Sequence, residues 1–570
     1  MFDLALRGGT VVDGTGGPPV VADVGVRAGR IVAVGSLGEA TRRDLDVSGR
    51  VVCPGFIDLH THYDAQLLWD PTAGPSVLHG VTTVLGGNCG FSLAPLGPGD
   101  ASYVQRMMAV VEGMPLGALE GGGPWDWGPF DQYLERVDRG LSVNAGFLVG
   151  HSTVRRAVMG DRSTRGEASA EEVAAMVRLV GESLSGGAIG FSSSLGEGHL
   201  DGDHRPVPSR SATFDELVAL AGAVRDHAGT TLEFIPTVGP IPADRMGLMT
   251  DMSLAADRPL NWNLLGSLAS EETYEQQLEA SDVAAARGAH VVALALPDMM
   301  RMRAGNLLAG LDGWRDVLGL DAPDRRSAVL DPGTRAALRD GAERAARRSM
   351  GVLSDFSLME VVDPASPWVG RSLGEIAATT GTDVVDVLID VVLVDGLTLF
   401  LVLPSLTPSL GRSDEGWRAR TAVWRDPRVV LGGSDAGAHL DLMCHANYPT
   451  VVLGEVVRDR GLLSLEEAVE MMTDRPARLC GLRDRGRIAD GWHADMVVFD
   501  PDRVRTDPVT VLCDLPGGGE RLFAGSQGVD HVFVAGREVV TAGVVTDERP
   551  GRVLRSGRDT ETVTLADVRP

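Results

Sequence analysis

Short runs rich in β-branched residues alternate with helical patterns along most of this sequence. Stretches such as SAEEVAAMVRLVGESLS and TFDELVALAGAVRDHAG repeat apolar residues at helical spacing and lie between such runs. Eight strands alternating with helical segments predict an α/β fold of the (β/α)8 TIM-like barrel type, in which the strand ends meet at one mouth. The predicted strands, numbered 1 to 8, are 56–62, 81–85, 143–149, 188–192, 230–235, 260–264, 290–296 and 429–431.

The residue pattern at both ends of the sequence differs from that in the middle, with short apolar runs between Gly-rich turns. LALRGGTVVDGTGG and ADVGVRAGRIVAVG near the start are similar in this respect to GRIADGWHADMVVFDP and VDHVFVAGREVVTAGV near the end. Neither end has enough strands to bury its own faces, so we expect the two ends to pair. We predict a small β-sandwich domain built from residues 1–53 and 481–570, beside a barrel of residues 54–480.

Two connections in the predicted barrel are longer than ordinary loops. One follows strand 2 at about 95–140 and contains PWDWGPF, and the other follows strand 7 at about 298–425. Insertions of this length commonly form lids or substrate-binding walls. We expect both inserts to have such a role.

The charge balance restricts the partners of the chain. Its 570 residues carry 78 acidic and 52 basic side chains, which gives a formal net charge of −26. Nucleic acids and anionic membranes bind basic surfaces, so we expect neither as a partner. There is no apolar run of about 18 residues, and MFDLALRGGTVVDG does not resemble a secretory signal, which favours the cytoplasm. A small molecule is the expected partner, and the sequence leaves monomer and homo-oligomer both open.

Lysine is absent from the sequence, and every basic residue is arginine. Mechanisms that need a lysine amine are therefore excluded, including Schiff-base catalysis and a carboxylated lysine that bridges two metals. The five cysteines, an odd number spread from Cys53 to Cys513, do not form the pattern of a disulfide framework.

The motif PGFIDLHTHYD places two histidines at the end of predicted strand 1. Side chains two residues apart on a strand point to the same side, so His60, His62 and Asp58 share one face. Two neutral imidazoles on one face are able to share a divalent ion. Taken alone, the motif is equally compatible with two ordinary histidines at a strand end.

Other chemically active residues also lie where predicted strands end, which is where reacting groups lie in barrels. Cys89 follows strand 2 in GGNCGF, His151 follows strand 3, Glu233 lies on strand 5, and Asp435 follows strand 8 in GGSDAGAH. Histidine, cysteine and aspartate at one mouth are a zinc-type ligand set. This combination is far more specific than the histidine pair alone.

The same motifs resemble the amidohydrolase superfamily, and more narrowly its N-acyl-D-amino-acid deacylase (D-aminoacylase) branch. The resemblance is carried by PGFIDLHTHYD, HGVTTVLGGNCGFSLAP, GAIGFSSSL, GGSDAGAH and TDRPARLCGLRDRGRIADGWHADMVVFDP. It implies a metal-bearing barrel that hydrolyses an amide of a D-amino acid. It also implies that His60 and His62 are metal ligands, that Cys89 is a metal-bridging thiolate and that Asp435 is the strand 8 acid. Without the NCG context, Cys89 would be inert core filling.

The sequence departs from that family in strands 5 and 6. The family supplies one metal-binding histidine from each of these strands, whereas here they read TTLEFIPTV and PLNWNLLG, without histidine. Glu233 is the candidate substitute as an oxygen ligand, and Asn261 or Asn263 is a weaker one. We therefore expect one tightly bound Zn²⁺ ion, with a weak second ion or another divalent metal left open.

The mechanism expected from this ligand set is hydrolysis by metal-activated water. Zn²⁺ with an open coordination position lowers the pKa of its bound water to about 7 and polarises the scissile carbonyl. Asp435 would act as general base towards that water and then as general acid towards the leaving amine. Arginine is the best partner for a free carboxylate on the substrate. The candidates for substrate binding are His151, Arg155, His199 and Arg210, with Arg205 as a further one, and a structural role at the strand end is open for His151. His199 and His204 could instead replace a missing metal ligand, and His439 and His445 are weaker candidates for residues that support Asp435.

Two alternatives to a D-aminoacylase activity remain. The chain could hydrolyse another C–N bond, such as that of a cyclic amide or imide, because fold and metal do not determine the substrate. It could also be a catalytically inactive binding or scaffold protein. The absence of histidine from strands 5 and 6 favours the scaffold, whereas the combination of His60, His62, Cys89 and Asp435 argues against it.

Overall fold

Eight parallel strands form the centre of the protein. The structure is a computed structural model that describes residues 1–237, 239–265, 271–296, 300–303, 308, 311–320, 322–347, 356–361, 366–391, 400–403 and 414–568. The strands are Phe56–Asp58 (β1), Val81–Gly86 (β2), Asn144–Phe147 with Val149–Gly150 (β3), Gly190–Ser194 (β4), Thr231–Ile235 (β5), Leu260–Leu265 (β6), Val291–Ala295 (β7) and Val429–Leu431 (β8).

Each of these strands pairs with its neighbour in sequence. β1, β2 and the first part of β3 form one parallel sheet, and the second part of β3 continues in order through β8 in another. The segments after β8 and β1 complete the ring, because Thr61 and Ala436 form a parallel bridge and the Asp435 N–H donates to the His60 carbonyl at 3.0 Å. The predicted barrel is confirmed. Strands such as β2 (VTTVLG) and β7 (VVALA) are buried along their whole length, as is usual for a parallel sheet covered by helices.

Helices surround the barrel. Two of them, Ala170–Ser185 and Leu465–Met472, begin with a capping box in which a serine and a glutamate satisfy the first free N–H groups. The others are Tyr63–Gln66, Gly74–Val77, His151–Met159, Phe214–Gly222, Ala243–Ala256, Glu271–Ala286, Asp414–Trp424, Tyr448–Val451 and Asp474–Leu479, with a π-helix at Val452–Asp459. Short 3₁₀ turns lie at Asn88–Gly90, Gly160–Arg162, Pro208–Ser211, Ala223–Asp226, Phe356–Leu358 and Pro516–Gly518. None of the helices in the described part of the chain is long and apolar enough to cross a membrane.

The two chain ends form one nine-stranded sheet. Its strands are Leu4–Val11, Val20–Arg27, Arg30–Gly35, Asp44–Asp46, Val51–Pro54, Met496–Phe499, Val529–Val534, Arg537–Thr541 and Val544–Val545. Val51–Pro54 pairs antiparallel with Met496–Phe499, which joins the two ends as predicted. Two further hairpins pair Arg505–Thr506 with Ser526–Gln527 and Thr510–Leu512 with Arg521–Phe523. The domain boundaries at 53/54 and 480/481 stay predictions.

A buried ion pair connects this sheet to the barrel. Arg485 and Asp495 form the pair, and both are less than 7% exposed. Asp495 also accepts hydrogen bonds from the Asn144 amide on β3 at 3.1 Å and from the Ala535 N–H at 2.8 Å. Three separate parts of the chain therefore meet at one carboxylate.

The two predicted inserts have different structures. The first contains the helices Ala101–Val111, Leu116–Gly121 and Phe130–Val137. The described parts of the second include its own apolar core around Trp314 and Leu388, and other parts of 298–425 lie outside the described residues. Its elements are the antiparallel strands Met300–Arg303, Glu360–Val361 and Phe400–Leu403 and the helices Trp314–Leu318, Ala322–Leu330, Pro332–Arg347, Leu373–Thr380 and Val384–Ile389.

Candidate metal centre at the barrel mouth

His60 and His62 lie just beyond the end of β1. The strand itself ends at Asp58, before both histidines, which is earlier than predicted. Backbone hydrogen bonds hold the following residues, since Thr61 donates to the Leu85 carbonyl at 2.9 Å and His62 to the Ala436 carbonyl at 2.7 Å. Both imidazoles are buried, and their ring centroids are 5.2 Å apart in an edge-on arrangement.

Cys89 lies on a tight turn after β2. Its φ of +58° is in the left-handed region, which non-glycine residues seldom adopt, so the turn aims the sulfur in an unusual direction. The Asn88 amide holds the turn against β1 and β2 through the carbonyls of Thr61, at 3.1 Å, and Leu85, at 2.9 Å. Gly87 has to be glycine, because a Cβ there would lie 2.1 Å from the Leu148 carbonyl oxygen. These contacts give a structural reason for the GGNCG motif.

The sulfur of Cys89 lies against both histidines. Its Sγ is 3.3 Å from Nε2 of His60 and 3.6 Å from Nε2 of His62. Asp435, on the loop after β8, approaches the same two atoms with Oδ1, at 3.5 Å from Nε2 of His60 and 3.2 Å from Nε2 of His62. Cys89 and Asp435 therefore each contact both imidazoles, so the four residues that the resemblance named lie together at the barrel mouth.

Asp58 positions the loop that carries Asp435. Its carboxylate accepts the Ser434 N–H at 3.1 Å and also the Ser434 hydroxyl. The Ser434 hydroxyl oxygen in turn accepts the Ala436 N–H at 3.0 Å. Asp58, the last residue of β1, is thus joined to the loop that follows β8.

Glu112 is a member of the site that the sequence did not reveal. It follows the helix Ala101–Val111 in the first insert, is buried, and places Oε2 3.4 Å from Nε2 of His62. One donor atom each from His62, Glu112 and Asp435 lie within 4.8 Å of one another, as do those of His60, His62 and Cys89. The sequence signal was a lone acidic residue at the end of the apolar run MMAVVEGM, which has no spacing typical of a ligand.

Glu233 supports the cysteine turn from β5. Its Oε2 accepts the Cys89 backbone N–H at 2.9 Å, and its Oε1 accepts a hydrogen bond from the Asn263 amide on β6. Burial raises the pKa of Glu233 to about 7. The neighbouring Asn261 is buried, with its side-chain oxygen unpaired in the described structure. Both carboxylate oxygens of Glu233 thus accept hydrogen bonds within the protein. Its predicted role as a metal ligand stays a prediction.

The donor separations fit a metal ion. Zinc bonds of about 2.0–2.1 Å to nitrogen or oxygen and about 2.3 Å to sulfur place tetrahedral donors roughly 3.3–3.8 Å apart. The contacts of His60 and His62 with Cys89 and Asp435 span 3.2–3.6 Å. The thiol, two imidazoles and a carboxylate are also the ligand types that zinc binds. The residues present therefore fit a divalent cation.

The charges and pKa shifts in the cluster also favour a bound cation. Burial, followed by the charges of Glu233, Glu112 and Asp435, raises the pKa of the Cys89 thiol well above its ordinary value, so a thiolate needs a nearby cation. Burial alone would also raise the pKa of Asp435, but hydrogen bonds from His60 and His62 lower it well below its ordinary value. Within the described residues, no arginine forms an ion pair with Glu112, Glu233 or Asp435.

A cavity opens above the cluster. Its described walls are largely apolar. Three histidines besides His60 and His62 border it, namely His199, His439 and His445, all of which were candidates from the sequence. His199 Nδ1 and the Ser194 hydroxyl are 2.8 Å apart, and burial lowers the pKa of His199 to about 4, which favours a neutral ring. The apolar wall residues are Val111, Ile235, Leu264, Leu294, Leu296 and Met443.

The other predicted substrate-binding residues are not among the walls of this cavity. His151 and Arg155 both contact Glu216 inside the protein, with His151 Nε2 2.9 Å from Glu216 Oε1, and all three are at most 1% exposed. Arg210 donates to the His199 carbonyl at 3.1 Å and is not among the residues that line the cavity. His204 and Arg205 are exposed on the loop that follows β4. A substrate contact by these residues has no support in this geometry.

Comparison with known proteins identifies the family of the chain. The model of the Amidohydrolase family matches residues 45–360 and 412–540. A D-aminoacylase of Alcaligenes xylosoxydans xylosoxydans is 32% identical over 563 residues, 97% of each chain. A solved D-aminoacylase structure, described for its binuclear metal center, has a TM-score of 0.64 at 29% identity and covers 97% of this chain and 100% of its own. N-acyl-D-glutamate deacylase from Bordetella bronchiseptica, solved with zinc and a phosphonate inhibitor, has a TM-score of 0.63 at 25% identity, with 97% and 100% covered. The chain belongs to the amidohydrolase family.

Proposed function

We propose that this protein hydrolyses the amide bond of N-acyl-D-amino acids with the help of one tightly bound Zn²⁺ ion. The observation that supports the proposal is that Cys89 and Asp435 each contact both His60 and His62 at the barrel mouth. The substrate class is taken from the relatives named D-aminoacylase and N-acyl-D-glutamate deacylase. The proposed location is the cytoplasm, and the proposed partner is a small-molecule substrate.

His60, His62 and Cys89 would hold the ion. A divalent cation bound there supplies a Lewis acid that makes water nucleophilic near neutral pH and polarises a carbonyl. The apolar residues around the cluster, among them Leu294 and Leu296, limit the access of bulk water. Three protein ligands leave a position open for the reaction, which is typical of catalytic zinc sites.

Asp435 is the proposed general base and acid. Its side chain is 26% exposed, so it is accessible from the cavity, while Oδ1 contacts both histidines. It takes a proton from the attacking water as the water oxygen bonds to the carbonyl carbon. It then gives that proton to the amide nitrogen as the C–N bond breaks, which releases a carboxylic acid and a free D-amino acid.

A screen of amide substrates tests the proposal. Zinc-loaded protein is incubated with N-acetyl-D- and N-acetyl-L-amino acids, hydantoins and lactams, and products are measured by chiral chromatography. Release of D-amino acids alone supports the proposal, and opening of cyclic amides alone would replace it. Zinc-loaded protein that cleaves none of these compounds would favour the scaffold alternative.

A further inference from the structure

The carboxylate of Glu112 lies beside the metal ligands and has no arginine partner among the described residues. Its Oε2 is 3.4 Å from Nε2 of His62, and its side chain is 4% exposed. The chain has 52 basic residues, yet imidazoles are the only basic groups shown next to this cluster in the described structure. A buried carboxyl in this environment stays ionised only with a cation or a strong hydrogen-bond donor nearby, and it is otherwise protonated.

Glu112 forms a second ligand group with His62 and Asp435. One donor atom from each lies within 4.8 Å of the other two. This group offers two oxygens and one nitrogen, whereas His60, His62 and Cys89 offer two nitrogens and one sulfur. Oxygen-rich groups suit hard cations such as Mn²⁺, and thiolates suit Zn²⁺. The two groups therefore differ in the metal that each prefers.

The two groups share one atom. Nε2 of His62 lies 3.6 Å from Cys89 Sγ and 3.4 Å from Glu112 Oε2. A neutral imidazole has one unprotonated nitrogen, so Nε2 donates its lone pair to one ion at a time. The groups are thus alternatives, and filling one removes a ligand from the other.

The first insert is fixed in place to present Glu112. The carbonyl of Glu112 accepts the His439 N–H at 2.5 Å, on the loop that also carries Asp435. A Cβ on Gly113 would lie 2.9 Å from Nδ1 of His439, so the two segments are closely packed. Glu112 and Asp435 therefore approach His62 from two loops that are joined to each other.

We propose that the barrel mouth contains two overlapping one-ion sites, a thiolate site (His60, His62, Cys89) for Zn²⁺ and a carboxylate site (His62, Glu112, Asp435) for Mn²⁺. The inference rests on the proposed function for the presence of a cation, and it adds Glu112, supplied by the insert, as a ligand. Because the two sites share His62, the protein binds one of these ions at a time.

Equilibrium binding to the full-length apoprotein tests the inference. Free Mn²⁺ is followed by its electron paramagnetic resonance signal in the wild type, Glu112→Gln, Glu112→Asp and the exposed control Glu120→Gln. We expect the dissociation constant for Mn²⁺ to rise at least about tenfold in both Glu112 variants and to change less than about twofold in the control. Glu112→Asp keeps the charge but retracts the carboxylate, so it separates ligation from general electrostatic attraction. One equivalent of Zn²⁺ should release the bound Mn²⁺.

Three results would overturn the inference: unchanged Mn²⁺ affinity in Glu112→Gln, wild-type affinity in Glu112→Asp, or simultaneous binding of one Zn²⁺ and one Mn²⁺. Circular dichroism spectra and thermal midpoints of the variants exclude misfolding as a cause of weaker binding. None of these measurements depends on turnover. Failure of the proposed function would appear separately, as zinc-loaded protein that cleaves no amide.

Discussion

The backbone N–H of Cys89 donates to the Glu233 carboxylate at 2.9 Å, so an acidic residue on β5 holds the turn that presents the thiol. In the family that the sequence resembles, this strand supplies a histidine that binds the metal. Here the strand supplies a carboxylate that fixes the cysteine backbone, and the amide of Asn263 on β6 donates to the same carboxylate. Strands 5 and 6 thus contribute to the mouth of the barrel by supporting Cys89.

Replacing Asp435 with asparagine should abolish proton transfer and leave the thiolate site intact. Its Oδ1 contacts His60 and His62, but His60, His62 and Cys89 also form a ligand group without it. We expect kcat to fall by about 10²–10⁴-fold while zinc content stays near that of the wild type. Steady-state kinetics and metal analysis check this, and an unchanged kcat would exclude Asp435 as the proton carrier.

Cys89→Ser should weaken zinc binding, because it removes the thiol sulfur that contacts both histidines. Loss of a direct ligand should cost more than the roughly 10–100-fold typical of residues that only support a ligand. Competition with a chromophoric chelator measures the affinity. Co²⁺-loaded wild type should also show thiolate-to-cobalt charge transfer in the near ultraviolet, which the variant lacks. Cys53→Ser, at a buried cysteine in the terminal sheet, is the control and should keep both properties.

The apolar cavity should favour substrates with an apolar amino-acid side chain. Its described walls include Val111, Ile235 and Met443 but no arginine. A second carboxylate on the substrate would be buried there without a cationic partner, at a cost of several kcal/mol. We expect kcat/KM for N-acetyl-D-leucine to exceed that for N-acetyl-D-glutamate by at least about 100-fold, or about 2.7 kcal/mol. A preference for the glutamate derivative would contradict this account of the walls.

Arg155→Met should destabilise the fold and leave substrate affinity unchanged. Arg155 and Glu216 form an ion pair whose side chains are at most 1% exposed. Breaking a buried pair leaves a buried charge uncompensated and costs about 3–5 kcal/mol. Urea unfolding measures this loss. Arg162→Met is the control, because its pair with Glu172 is largely exposed on the arginine side and is worth less than about 1 kcal/mol. A raised KM in Arg155→Met, with normal stability, would restore Arg155 as a substrate contact.

The acid stability of the terminal sheet should depend on Glu538. Burial would raise the pKa of this carboxyl, but hydrogen bonds from His531, Thr541 and Arg43 outweigh it and lower the pKa to about 2. The carboxyl titrates lower in the folded state than in the unfolded state, so its contribution is present above about pH 4.5 and is lost as the pH falls towards 2.

The free energy of unfolding of Glu538→Gln should accordingly lie about 1–3 kcal/mol below that of the wild type at pH 6. The gap should narrow between pH 4.5 and 3. Urea titrations over this range measure it, with the exposed Asp547→Asn as the control. A gap that does not change with pH would show that the effect comes from packing.

The barrel and the positions of most candidate ligands were predictable because their signals are local. Strand and helix patterns repeat eight times, and HTH, NCG and SDAG each lie next to a strand end, so the topology brings them together. Glu112 was not predictable, since its contact with His62 depends on how the insert folds back over the mouth. His151 follows a strand as expected, but its partner Glu216 lies 65 residues away on a helix, and no local pattern reveals that pairing.

The hydrogen bonds between the segments after β1 and β8 also determine at which stage of synthesis the site can form. Ser434 and Asp58 are 376 residues apart, and the loop they join carries Asp435 to the histidines. During synthesis, His60, His62 and Cys89 emerge long before this segment, so the early chain contains these candidate ligands without the carboxylate beside them. The contacts of Asp435 with both histidines therefore form only after the eighth strand has been synthesised.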